Sequence, residues 1–480
     1  MSTTKCLLPL VVVLLAPAIS WAEWEPEVRL TNDPSESVTC FDNAWAVAAA
    51  GTTIHVVWHD ARDGNTEIYY KRSLDNGTTW SADTRITNDA SWSERPSVAV
   101  RDSIVHVAWY DGRLGPPRIF YKHSLDNGVT WGADVSLTPT AGVGYHPSVA
   151  TCGSMVHVAW TDMSAGPQIY YTRSLDDGTT WDAEKIITPH APAAGKNLAS
   201  IAVADSIVHV TWMDSRSNPQ IYYTRSCDHG ATWETDRSIT PVPSQFASVA
   251  VSDSIVHVVY ADFRFGTEVP MIYYTRSLDS GTSWQTEVQL GESSASWYPS
   301  VAVAGSHVHT VWLDNRNGDI SEVYYKCSLD DGVNWESDVR LTDNTSESRE
   351  PSVAVSGTYV HVVWNDDRDQ NLEIYYKRGS MENTGVRDDE ETSLAELHPL
   401  VAPTFFRDGI TFRLDDPLSG PMRVVLFDVL GVPVCGATYG ADPSFVHLGD
   451  ARIPRLAPGV YFLRMEAGKL AATQKLIKIR

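Results

Sequence analysis

Over residues 45–380 apolar and polar positions alternate in short runs, and no stretch keeps a period near 3.6 long enough to make an amphipathic helix. "PSVAV" (96–100), "IVHVAW" (104–109), "IYYTRS" (169–174) and "TRIT" (84–87) represent four kinds of run that follow one another. All are rich in Val, Ile, Tyr, Trp and Thr, with Gly, Asn, Asp and Pro between them, which is the chemistry of strands and tight turns. The pattern predicts four strands per unit. The unit is written again and again, most visibly as the phrase Ser-x-Asp-x-Gly-x-Thr-Trp beginning at Ser73, Ser124, Ser174, Ser226, Ser277 and Ser328, 50 to 52 residues apart.

Four strands in about fifty residues, repeated, predict a β-propeller. The "VHVVW" and "IYY" runs each occur seven times, and the inner-strand phrase has six good copies and a divergent one over 45–50. The expected fold is therefore all-β, a seven-bladed propeller with six blades as the alternative. The seventh unit stops near Gly385 without its last strand, while "WEPEVRLTND" (24–33) aligns with "WSADTRITND" (80–89) and "WESDVRLTDN" (335–344). The N-terminus is thus expected to supply the outer strand of the last blade, removing a loose sheet edge.

In each repeated phrase the Asn-Gly or Asp-Gly pair suits the turn between third and fourth strands. The carboxylates of Asp75, Asp126, Asp176, Asp228, Asp279 and Asp330 can accept hydrogen bonds from their own turn. Trp80, Trp131, Trp181, Trp233, Trp284 and Trp335 can pack across the hairpin. Six equivalent copies cannot all be one active site, so the phrase reads as structural. It resembles the Asp box, or BNR repeat, of the sialidase (neuraminidase) superfamily, over residues 24–385. The resemblance implies a propeller whose Asp boxes lie opposite its functional face. A sialidase would also need three Arg on the substrate carboxylate, a Tyr with a Glu base, and an Asp acid/base. The Arg-Ile-Pro phrase usual before the first box is absent, "SERP" (93–96) being nearest, and no Tyr–Glu pair stands out in the sequence.

On the opposite face two connections meet. One carries Trp-x-Asp-x-Arg, with Asp60, Asp111, Asp162, Asp214, Asp262, Asp314 and Asp366, and six Arg; the third copy has Ser164 instead. An anion site or metal ring could be built from these, but near-identical repetition favours Asp and Arg pairing within each loop. The seven histidines at one position per unit (His55, His106, His157, His209, His257, His309, His361) read likewise as structural hydrogen-bonding groups, so no metal and no cofactor is expected. The connections into the inner strands differ from copy to copy. They offer Trp92, Glu94, Arg95, Tyr145, His146, Trp297, Tyr298, Arg349 and Glu350 as candidate substrate-binding residues. Aromatic rings beside Arg and carboxylates suit a sugar, which stacks on a ring and hydrogen-bonds through its hydroxyls.

A formal net charge of −23 argues against nucleic acid and anionic lipid as partners. Lys5, an apolar run of 12 residues (7–18) and Ser20-Trp21-Ala22 predict a secretory signal (1–22) cut after Ala22, and no segment predicts a transmembrane helix. The five remaining cysteines, Cys40, Cys152, Cys227, Cys327 and Cys435, fit neither a disulfide framework nor a zinc site, and free thiols are expected. After the propeller (23–380) an acidic linker (381–396) and a second β module (397–480), an Ig-like sandwich, are expected. "LFDVLG", "APGVYFLRMEAG" and the final "QKLIKIR" resemble the sorting domain of the type IX secretion system, which implies contact with secretion machinery and a secreted or outer-surface location. Three functions stay open: a glycan-recognising propeller, a sialidase-like exo-glycosidase, and a protein-interaction scaffold.

Overall fold

The computed structural model describes residues 23–40, 46–138, 142–164, 166–188, 195–216, 218–266, 269–291, 295–318 and 320–381. Beyond these it describes strands at 399–400, 405–406, 410–414, 422–427, 433–439, 445–448, 459–467 and 470–478. The proposed signal and most of the proposed linker lie outside the described residues. The chain forms two compact units, 1–385 and 386–480.

Among its described residues the first unit contains seven antiparallel sheets of four or five strands. The second sheet shows the plan: Ser93–Arg101, Ile104–Asp111, Arg118–Ser124 and Val135–Ser136, each beside the next. The short alternating run is the innermost strand, and its Val and Ala line a central cavity of about 220 Å³ together with those of the other six sheets. Between successive sheets the opposite faces bury Val, Ile, Trp and Tyr, as where Trp109 and Val107 meet Val57 and Ile68. The last sheet takes its outer strands from the N-terminus: Glu23–Trp24 and Val28–Arg29 pair antiparallel with Glu373–Ser380.

Polar contacts tie each sheet to the next. In six sheets the inner-strand serine accepts the backbone N–H of the following inner strand: Ser97 from Val149 (3.2 Å), Ser148 from Ile201 (3.3 Å), and so on to Ser352 from Ala46 (3.1 Å), which joins last sheet to first. The Asp-box tryptophan reaches across to the neighbouring sheet. Trp131 stands edge-on to Tyr70, Trp181 to Tyr121, Trp233 to Tyr171, Trp284 to Tyr223, Trp335 to Tyr274 and Trp80 to Tyr376, with ring centres 4.7–5.0 Å apart. Trp24, from the N-terminal strand, makes the same contact with Tyr325 at 4.9 Å and so stands in for the box the seventh unit lacks. Such pairs contribute about 0.5–1.5 kcal/mol each beyond the area they bury.

The same tyrosines explain the buried histidines. Each of the seven places Nδ1 2.6–2.8 Å from the hydroxyl of Tyr70, Tyr121, Tyr171, Tyr223, Tyr274, Tyr325 or Tyr376. The hydroxyl also faces the next Asp box so closely that a Cβ on Gly128 would lie 2.1 Å from Tyr70 Oη, and Gly128 sits at φ +76°. Glycine is needed there on both counts.

In the second unit, described by itself, strands 399–400, 410–414 and 445–448 form one sheet, and 405–406, 422–427, 433–439, 459–467 and 470–478 another. Val424, Leu426, Tyr461 and Leu463 are buried.

Candidate functional site

The Asp boxes are closed turns. Asp126 Oδ1 accepts from Thr130 N (2.8 Å) and from Ser124 Oγ (2.8 Å), and Oδ2 from Thr130 Oγ1 (2.7 Å), while Ser124 Oγ accepts from Gly128 N. The other five boxes repeat this with Thr79, Thr180, Thr232, Ser283 or Asn334 as partner. The amide and hydroxyl of Thr130 hold the Asp126 carboxyl below the usual carboxylate range, down to about 2. Every box carboxylate is engaged inside its own turn.

At the other end of the sheets the inner strands share a kink. Pairing with the second strand shifts register between Glu94 and Ser97, Tyr145 and Ser148, Asn197 and Ser200, Gln245 and Ser248, Trp297 and Ser300, and Arg349 and Ser352. These are β-bulges, which re-aim side chains. The residue within each adopts left-handed φ: Arg95 (53°), His146 (53°), Leu198 (61°), Phe246 (56°), Tyr298 (51°) and Glu350 (53°). None is glycine, although a non-glycine residue there costs roughly 1–2 kcal/mol. In the first sheet eight residues (39–46), of which 41–45 lie outside the described residues, stand between Val38, opposite His59, and Val47, opposite Val56. The second sheet uses only three, 95–97, for the same span.

Around the second and third sheets these residues meet. Tyr110 is the hub: its hydroxyl donates to Glu94 Oε2 at 2.8 Å, and the Arg95 guanidinium lies 5.8 Å from its ring centre. Trp92 packs against it edge-on at 5.3 Å, and Tyr145 and His146 lie 5.6 and 6.4 Å away. Arg95 Nη1 is 3.1 Å from His146 Nδ1. Arginine can only donate, so Nδ1 is the accepting nitrogen of this contact. Burial raises the Tyr110 phenol, with Arg95 opposing and Glu94 adding, so Tyr110 is a neutral donor at pH 7. Half-buried His59 is pushed down to about 4, by desolvation first and the Arg95 charge second, with Asp60 opposing. One cation, two carboxylate oxygens, two imidazoles and three large rings thus share one half-buried patch.

The other candidates form separate groups. Tyr298 packs at a tilt against Phe246, ring centres 4.7 Å apart, next to Trp297. Glu350 accepts from Asn365 Nδ2 at 2.7 Å, and Asn365 Oδ1 accepts from Thr39 N at 2.8 Å. Arg349 pairs with Glu347 at 2.5 Å rather than facing Arg95. Sequence reading missed Tyr110, His59, Leu198 and Phe246. A signal existed for two: the variable x of Trp-x-Asp-x-Arg is His59 in the first copy and Tyr110 in the second. Among the described residues no three His, Cys, Asp or Glu side chains converge as a metal site requires. Cys152, Cys227 and Cys327 are free thiols, and no described helix is long and apolar enough to cross a membrane.

Radially packed four-stranded sheets closed by Asp-box turns define a β-propeller. Residues 118–310 match the family model of the BNR repeat-like domain. No curated protein matches the sequence. Among solved structures the chain is similar to an ulvan lyase, a polysaccharide lyase bound to -[GlcA(1-4)Rha3S]-, with TM-score 0.54 and 9% identity over 73% of this chain and 95% of that one. It is also similar to the BP39L lectin from Burkholderia pseudomallei, with TM-score 0.54 and 13% identity over 70% and 96%. At such identities the likeness is one of fold.

Proposed function

We propose that the protein is a secreted or outer-surface β-propeller of seven blades, one per sheet, that recognises glycans on the face bearing the bulges. The observation that carries this reading is the ring of strained bulge residues. Six positions keep bulky or charged side chains in a conformation that glycine would adopt freely, and each copy keeps a different one. Packing alone has no use for that variety. The patch of Trp92, Tyr145, Arg95, His146 and Glu94 around Tyr110 has the rings and fixed donors that an oligosaccharide with an acidic group would engage. That a lyase and a lectin use propellers of this shape is in keeping with it. In this reading residues 1–22 direct export, and the C-terminal unit is a sandwich that engages type IX secretion machinery.

The test is affinity electrophoresis of the full secreted chain in gels containing neutral, uronate-bearing or sulfated polysaccharides. Retardation by an acidic polysaccharide, abolished in Arg95→Ala and Tyr145→Ala with melting temperatures unchanged, is expected. Unretarded migration in every gel would sink the reading. A second reading, a sialidase-like exo-glycosidase, is favoured by one observation: Tyr110 and Glu94 form a hydrogen-bonded Tyr–Glu pair beside an arginine. It predicts fluorophore release from a sialoside that Tyr110→Phe abolishes.

A further inference from the structure

Six sheets hold a guanidinium in one way. Arg62, Arg113, Arg216, Arg264, Arg316 and Arg368 each lie over a third-strand ring (Tyr69, Phe120, Tyr222, Tyr273, Tyr324, Tyr375) at 4.1–4.6 Å. Each pairs with the Asp of its own loop at 2.5–2.7 Å. Each also reaches the acid that precedes the outer strand, Asp83, Asp134, Asp236, Glu287, Asp338 or Glu27. In five of these sheets the buried Trp two residues before the Asp donates Nε1–H to its Oδ2 at 2.9–3.3 Å.

The third sheet keeps the receiving side of this arrangement and lacks the guanidinium. Ser164 occupies the arginine position, while Asp162, the ring of Tyr170 and Glu184 remain, and both carboxylates act on the Tyr170 phenol. Asp162, itself buried, accepts from Ser164 N (2.8 Å), Ser164 Oγ (2.5 Å) and Val143 N (3.1 Å). Trp160, fully buried two residues before Asp162, has its Nε1–H without a hydrogen-bond partner, unlike its five counterparts. The rim of the place is open to solvent, while Asp162 itself is covered: a Cβ on Gly142 would lie 2.8 Å from its Oδ2. Met163 and Ser164 are exposed, and Tyr170 is half-buried, as is Tyr222 beneath Arg216, where Tyr69, Phe120, Tyr273, Tyr324 and Tyr375 are buried.

We propose that this site in the third sheet binds a guanidinium group from outside the chain. The planar cation lies on Tyr170 and forks onto Asp162 with Glu184 beyond, as the six internal arginines do in their sheets. Asp162 Oδ2 then turns to accept from Trp160 Nε1–H. A planar, delocalised ion matches a ring plus two flanking carboxylates better than a compact ammonium, which prefers its own hydration. The guanidinium belongs either to a small molecule or to an arginine side chain of another protein.

The experiment follows the Trp160 indole N–H resonance of the full chain, assigned by its loss in Trp160→Phe. Methylguanidinium, a capped Gly-Arg-Gly peptide and methylammonium are titrated at constant ionic strength. Methylguanidinium is expected to move the resonance saturably. Ser164→Arg, which copies the six sister loops and therefore folds, is expected to show the shifted position already and no response. A response to the peptide as well points to an arginine of a protein partner, and a response to methylguanidinium alone points to a small ligand. No saturable shift in the wild type, an undiminished response in Ser164→Arg, or an equal response to methylammonium would overturn the proposal.

Discussion

On the Asp-box side of the propeller the same contacts recur from sheet to sheet; on the opposite side the same backbone kink carries a different side chain each time. Six boxes close with the same Ser–Asp–Thr-type hydrogen bonds, and seven Trp–Tyr pairs join neighbouring sheets at nearly one distance. The bulges present Arg, His, Leu, Phe, Tyr and Glu in turn. In a repeat protein each unit faces the same packing problem, so a shared requirement yields a shared residue. Variation at a strained position marks something the packing does not demand.

The contrast can be broken most severely at the ring closure. Removing residues 23–31 takes away Trp24, buried Leu30 and the Thr31 and Arg29 contacts to buried Glu373. Loss of cooperative melting is expected by calorimetry. Trp24→Ala alone should cost about 2–4 kcal/mol, close to Trp131→Ala, because both remove one of seven like pairs. A much smaller loss for Trp24→Ala would show that the closure differs from the other sheet boundaries.

Acid should attack the repeated side next. Each of the seven buried histidines is pushed down to about 3, by burial first. Above pH about 6.5 neither state binds the proton. Between about 6.5 and 3 only the unfolded chain does, so stability falls as pH falls, by up to about 1.4 kcal/mol per pH unit per histidine. Melting temperature against pH should be flat near neutrality and drop steeply below 6. His157→Asn should reduce that slope, and an unchanged slope would remove the histidines as its cause.

Crossed substitutions sharpen the comparison further. Asp126→Ala strips one box of its acceptor and should lower the urea midpoint, with polysaccharide binding retained. Arg95→Ala should do the reverse, keeping most stability and losing binding. If both variants lose both properties, the two faces are not separable. The smallest expected effect lies at one bulge. His146→Gly should be more stable than His146→Ala by about 1 kcal/mol, since only glycine holds φ near +53° without strain. Equal urea midpoints would mean that the left-handed bulge is not retained in solution.

Much of the architecture was legible because it is local and repeated. Period-two runs bounded by turn residues specify strands, and the N-terminal segment aligns with two other outer strands and pairs beside Glu373–Ser380. The Asp–Arg loops and the buried histidines could be read in the same way, from repetition. The partner of each Asp-box Trp was not legible, since Trp131 and Tyr70 lie on different sheets a full repeat apart in the chain. Nor was the Tyr110–Glu94 pair, where Glu94 faces Tyr110 across two strands just before the bulge. Arg349 looked equivalent to Arg95 as a charged loop residue, yet the fold sets it against Glu347.

By itself, then, the sequence determined the strand periodicity, the turn chemistry and the repeat, because these rest on neighbouring residues and each copy repeats the same constraint. It also marked the one loop where serine replaces arginine. Only the tertiary structure decided which of the varied residues meet. Bulges carrying left-handed Arg, His and Tyr leave no compositional trace, and side chains a full repeat apart come together only when the sheets stand side by side around the axis.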